Sequence, residues 1–175
     1  TGGTVAASTN NGAGVAGVAG GDGKPGGGVK LMVSVGFGNF GQTGNLAEAI
    51  VYGANNGAHV TSNSWGFSVP GMVEQTVLDA IDYFNDRSEE GGVVVFAAGN
   101  SFSDEAYYPA YYEGAVAVAA TDDRGFAAPF TNYGSWVDVA APGVDVLSTM
   151  TMGADYGRSE GTSMSCPMFA GVLAL

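Results

Sequence analysis

Three short stretches of this chain of 175 residues combine residue types that could do chemistry on a carbonyl. The first is Gly161-Thr162-Ser163-Met164-Ser165-Cys166-Pro167, where a serine enters an apolar run that reads as a helix. Free N–H groups and the positive end of the dipole favour negative charge at a helix start. A hydroxyl there could serve as a nucleophile, or it could simply cap the helix. Gly161 permits a sharp turn that would leave the Ser163 Oγ exposed. The second stretch, Ala97-Ala98-Gly99-Asn100, ends in an amide. A fixed amide donor can stabilise an oxyanion by about 3–4 kcal/mol, and an Asn after Gly equally suits a turn that stops a strand. The third, Asn63-Ser64-Trp65-Gly66, closes a strand with small residues on either side of a Trp. An extended peptide could add alongside such an edge through main-chain hydrogen bonds. Trp65 would then wall a side-chain pocket, or else pack in the core.

Elements that could hold these stretches follow from hydrophobic spacing. Residues 9–28 are a glycine-rich loop, and Val29–Val35 (VKLMVSV) has the density of a buried strand. Apolar residues at Leu46, Ala49, Ile50 and Ala54 predict a helix over Thr43–Asn55, and those at Val77, Leu78, Ile81 and Phe84 predict one over Val73–Arg87. His59–Ser64, Val93–Ala97, Ala115–Ala119, Trp136–Ala140 and Val144–Ser148 read as strands. Strands alternating with helices, the strands wholly apolar, imply an α/β protein with three α/β/α layers and a mostly parallel central sheet. Ligands in such sheets bind beyond the carboxyl ends of the strands, which is where the three stretches fall.

Composition narrows the function classes. Five Lys and Arg stand against seventeen Asp and Glu, a formal net charge of −12 that would repel phosphate, so nucleic acid is not the expected partner. No apolar run reaches the length of a membrane span. Cys166 is the only cysteine, which rules out an internal disulfide. The first residues, Thr1–Ser8, and the last, Cys166–Leu175, both read as the interior of elements, so residues 1–175 are expected to be part of a larger domain, truncated at both ends.

Taken together, the serine stretch, Ala97–Asn100, Asn63–Gly66 and Phe130–Gly143 (FTNYGSWVDVAAPG) resemble, in order, the subtilisin-like serine proteases. The resemblance implies a serine endopeptidase working through an acyl-enzyme on Ser163. Asn100 would line the oxyanion hole with the backbone N–H of Ser163. Ser64, Trp65 and Gly66 would form one side of the substrate cleft, and Ala97, Ala98 and Gly99 the wall of the primary pocket. The barrier contribution of about 3–4 kcal/mol belongs to a subtilisin, a member of the family this chain resembles.

In this family the order is Asp, His, Ser. Thr1–Ala7 (TGGTVAA) resembles the continuation of the family's H-G-T-H motif, so the base and its carboxylate are expected upstream of Thr1. The one histidine, His59, opens a strand whose other end carries the cleft, several residues of about 3.3 Å each from the chemistry, and reads as a surface or edge residue. The chain alone is therefore expected to be inactive. The resemblance further implies an extended peptide or protein substrate, a monomer, and a secreted or cell-surface location.

Gly12-Ala13-Gly14-Val15-Ala16-Gly17 fits G-x-G-x-x-G, but the GGDGKPGGG stretch that follows cannot be the helix a dinucleotide site needs. By resemblance the same loop is a structural calcium site, with the Asn11 side chain and the carbonyls of Ala13 and Val15 as ligands and Thr9 as a further one; a loop without metal is the other reading. Met168 stands where the family usually has His after the Pro, implying altered packing only. Tyr107 falls where the family often has a small residue at the floor of the primary pocket, and Tyr108-Pro109 resembles a cis peptide position. Two rival readings remain: a fold relative that binds peptides without cleaving them, and another serine hydrolase class. The second requires G-x-S-x-G with a later His, and neither occurs.

Overall fold

The computed structural model describes residues 1–24, 26–36, 46–87, 91–151 and 155–175. In chain order its elements are α1 (Gly2–Ala6), α2 (Leu46–Asn55), β1 (Val60–Asn63), α3 (Gln75–Arg87), β2 (Val93–Ala97), β3 (Val116–Thr121), β4 (Val139–Pro142), β5 (Val146–Thr149), β6 (Tyr156–Ser159) and α4 (Thr162–Leu173). Strands β1, β2, β3 and β4 lie side by side in that order, every pairing parallel, while β5 and β6 form a separate antiparallel pair.

Alternation along β2 builds the layers. Val94 and Phe96 face a cluster with Leu46, Ile50, Val77, Ile81 and Phe84 from α2 and α3. Val95, on the opposite face, joins Val118, Ala141 and Cys166 of α4. Helices on both faces satisfy strands that are apolar throughout, and this is the expected α/β/α arrangement. Each large side chain buried in this way contributes about 1.5–3 kcal/mol. The parallel register brings the carboxyl ends of β1 and β2 to one rim, Asn63 beside Phe96, with the start of α4 above them.

Several expectations need correction. Val29–Val35 forms no strand: it runs exposed across the surface, with Val33 82% and Val35 83% accessible. Apolar density makes a strand only where neighbours supply hydrogen bonds on the strand edge, and among the described residues none pairs with the outer edge of β1. The strand expected at Trp136–Ala140 begins later, at Val139. The run expected at Val144–Ser148 becomes β5, which pairs outside the parallel sheet with β6, a short polar strand that has no apolar signature. Helix α3 starts two residues after Val73, at Gln75. The expected start of the α2 helix at Thr43 lies outside the described residues.

Candidate active site

Helix α4 begins at Thr162, with Gly161 as its N-cap at φ 136° and ψ 160°. A side chain would be strained at that φ, so glycine is the residue the turn requires. Ser163 is thereby moved one position inside the helix and does not cap it; no side-chain capping bond is made. Its Oγ is half-buried and donates only a long bond, 3.4 Å, to the carbonyl of Ser64.

Pro167 explains a second feature of the serine stretch. Lacking an N–H, it cannot bond the carbonyl four residues earlier, which is that of Ser163. The Ser64 hydroxyl donates to this carbonyl instead, at 2.9 Å. The strand that carries the candidate cleft and the helix that carries the candidate nucleophile are thus joined in both directions, Ser64 to Ser163 and back.

Asn100 follows β2 and is held by its oxygen. Oδ1 accepts from the Thr162 N–H at 2.9 Å and from the Thr162 Oγ1 hydroxyl at 2.9 Å, while Oγ1 accepts from the Gly99 N–H at 3.1 Å. With the oxygen committed on Thr162, the amide NH2 lies near Gly161 at the head of α4 and makes no hydrogen bond among the described residues. Sequence reasoning misses Thr162; its place directly before the serine is the only available signal.

Ser163, Asn100, Ser64, Trp65, Gly66, Ala97, Ala98 and Gly99 all line one groove of about 250 Å³. The expected residues are therefore brought together. Trp65 fills both of its readings, since it borders the groove and also stacks edge-on against Phe96 at 5.0 Å. Tyr107 lines the same groove, and the Tyr108–Pro109 peptide is cis, as expected. Gly66 sits close under the Tyr108 carbonyl, which accepts from the Phe67 N–H at 2.9 Å.

Two titratable side chains, Cys166 and His59, do not line the groove. Cys166, one turn below Ser163, is wholly buried against Ser62, Asn63 and Val95, and burial pushes its thiol up to about 11. A thiol that stays protonated is an inert packing group. His59 lies exposed at the opposite end of β1 from Ser64. Among the described residues no histidine or carboxylate hydrogen-bonds to Ser163, so these residues supply no base for it. Met168 is half-buried against the Val95–Val118–Cys166 cluster, a packing position, as expected.

The calcium candidates converge elsewhere. Thr9, Asn11, Ala13 and Val15 all border a hollow of about 270 Å³ in the N-terminal loop. Asn11 Oδ1 accepts from the Ala13 N–H at 3.1 Å. No group of three or more acidic, His or Cys side chains is gathered among the described residues, so any cation in the hollow would depend on amide and carbonyl oxygens.

A serine near the head of a helix, an amide tethered by its oxygen and the end of a strand thus meet in one groove at the rim of a parallel sheet. The sequence profile of the Subtilase family matches residues 1–175, and the chain belongs to that family. It is 40% identical to a thermophilic serine proteinase of Bacillus sp. (strain AK1), covering 99% of the chain and 40% of that relative. Subtilisin Savinase of Lederbergia lenta is 38% identical over 99% of the chain and 60% of its own length. A solved protease of Pseudoalteromonas arctica superposes with a TM-score of 0.77 at 36% identity, covering 99% of the chain and 56% of that structure. The chain thus spans between two fifths and three fifths of these proteins.

Proposed function

We propose that Ser163 is the nucleophile of a serine endopeptidase that cleaves extended peptide segments through an acyl-enzyme. The backbone N–H of Ser163 and the Asn100 NH2 receive the oxyanion, and a His and an Asp supplied by residues outside these 175 activate the hydroxyl. What supports this reading is the double anchoring of Asn100 Oδ1 on Thr162, the residue next to Ser163, in a groove that Asn100 and Ser163 both line, with the amide NH2 left unbonded among the described residues. A substrate strand lies along Ser64–Gly66 on one side and Ala97–Gly99 on the other. A protein of this family is expected outside the cell or on its surface, and among the described residues no helix is long and apolar enough to cross a membrane.

The direct test compares three proteins. The 175-residue chain alone should hydrolyse a peptide substrate no faster than a buffer control. A longer protein containing it should be active and should lose at least about 10⁴-fold in kcat on Ser163→Ala. Undiminished activity in that variant removes the assignment. A longer protein that binds peptides and never cleaves them favours the binding relative.

The reading extends to specificity and to metal. Tyr107 on the groove wall leaves room for small side chains before the scissile bond, so Tyr107→Gly should shift cleavage towards large apolar ones. An unchanged cleavage profile would sink that point. Asn11 Oδ1 and the carbonyls of Ala13 and Val15, with Thr9, would hold a calcium ion that braces the N-terminal loop. Calorimetric titration of the longer protein with calcium should give heat that Asn11→Ala diminishes, and no heat in the parent would exclude the ion.

A further inference from the structure

Asn132 lies between β3 and β4, far in sequence from the groove, and is completely buried. A buried amide must find partners for its polar atoms, and those that the Asn132 side chain finds are all on the segment that carries Asn100. Oδ1 accepts from the Ser101 N–H at 2.9 Å and the Ser103 N–H at 3.3 Å. Nδ2 donates to the Ala98 carbonyl at 2.9 Å, and the backbone N–H of Asn132 donates to the Gly99 carbonyl at 3.0 Å. One residue therefore holds main-chain groups on both sides of Asn100 without touching Asn100 itself.

The hold is tight and its base is fixed. Gly99 has φ 106°, and a Cβ there would run into Asn132 Nδ2, so the loop follows the amide at van der Waals contact. Beside it, the Thr131 hydroxyl accepts from the Ala120 N–H at 2.9 Å, which pins the residue pair to the end of β3. Thr162 fixes where the Asn100 amide points, and Asn132 fixes where the Asn100 backbone lies. Neither constraint alone sets the position of the NH2 group.

We infer that Asn132 is a positioning residue for the oxyanion donor, acting through Asn100. This rests on the proposed roles of Ser163 and Asn100. A displaced catalytic group costs about 10- to 100-fold in rate. A residue that works only by placing another has nothing left to do once that other is gone.

The experiment is a double-mutant cycle in the longer protein, after Ser163→Ala has been shown to abolish cleavage. Asn132→Ala should lower kcat by about 10- to 100-fold with KM changed by less than about twofold. In an Asn100→Ala background the same substitution should change kcat by less than about twofold. Asn132→Ser, which replaces the amide with a smaller hydroxyl and leaves space for water, is run beside it in case the alanine variant is poorly folded, with thermal unfolding measured for each. Equal losses of kcat in the two backgrounds, a loss confined to KM, or failure of both variants to fold would each overturn the inference and leave Asn132 a structural residue. Persistence of activity in Ser163→Ala would instead overturn the proposed function, so the two failures are told apart.

Discussion

Val33 and Val95 sit in runs of the same appearance, VKLMVSV and VVVFA, yet Val33 is 82% exposed and Val95 is 0% exposed. The runs differ in what lies beside them. Each residue of β2 has a strand neighbour, with Val95 set against Ser62 on one side and Val116 on the other, and helices close both faces. Among the described residues, 29–36 pair with no strand; they touch the fold at Ala19, which accepts from the Val29 N–H at 2.9 Å, and where Leu31 lies beside Gly2 and Gly36 beside Leu46. A strand is thus a property of an edge that accepts it, and apolar composition only makes a run eligible. The candidate groove is built mainly on the first kind of region, on the ends of β1 and β2 and the start of α4, with Tyr107 and Tyr108 from the following loop.

Substitutions of equal kind in the two regions should break the symmetry of their sequences. Phe96→Ala in β2 removes a ring that is fully buried against Trp65 and the α2–α3 cluster, and should destabilise the chain by about 3–5 kcal/mol. Val33→Ser should change stability by no more than about 0.5 kcal/mol. Urea unfolding of the two variants measures the contrast. A cost above about 1 kcal/mol at Val33 would mean that the segment is covered and that its strand character is realised.

The same contrast shows what can be read from residues and what cannot. The spacing of Val77, Leu78, Ile81 and Phe84 and the all-apolar Val93–Ala97 run are sufficient for α3, β2 and the layering, because burial on both sides leaves a strong signature. The residues of the groove are legible as a set only through their resemblance to a family: alone, Ser163 reads first as a helix cap, and Asn100 as readily as a turn residue. Thr162 and Asn132 escape because they act on other protein groups, across 62 and 34 positions of chain, and no local pattern announces such a partner. Strand β6 escapes because Tyr156–Ser159 is polar, exposed and short. The 29–35 run misleads because eligibility is not pairing.

A second prediction sharpens the account of the buried side of α4. Cys166 is buried where water cannot solvate a thiolate, and its pKa rises from the usual 9 to about 11. Folded protein therefore holds this proton at pH values where unfolded chain has released it. Its contribution is complete below pH 9 and lost as pH climbs through 11, a fall of about 3 kcal/mol. Unfolding curves between pH 8 and 11 should show this slope in the parent and a shallower one in Cys166→Ala. Equal slopes would mean that the thiol is solvated and the junction open. Consistent with burial, thiol reagents should label the protein only on denaturation.

The smallest expected effect comes from the neighbouring position. Ser165 is completely buried, and its hydroxyl has no hydrogen-bond partner among the described residues, although its backbone belongs to a regular helix. Gly143 packs directly against it: a Cβ there would collide with Ser165 Oγ and with Ala120. An unpaired buried hydroxyl costs about 1–3 kcal/mol in desolvation, part of which is offset by its packing. Ser165→Ala removes the polar atom and keeps the helix, so it should leave stability unchanged or raise it by up to about 1 kcal/mol. In the longer protein it should leave kcat unchanged as well, since Ser165 faces β3 and β4 and not the groove. A loss of more than about 1 kcal/mol on thermal unfolding would show that the hydroxyl is paired after all, and that this face of α4 is as fully satisfied as the face carrying Ser163.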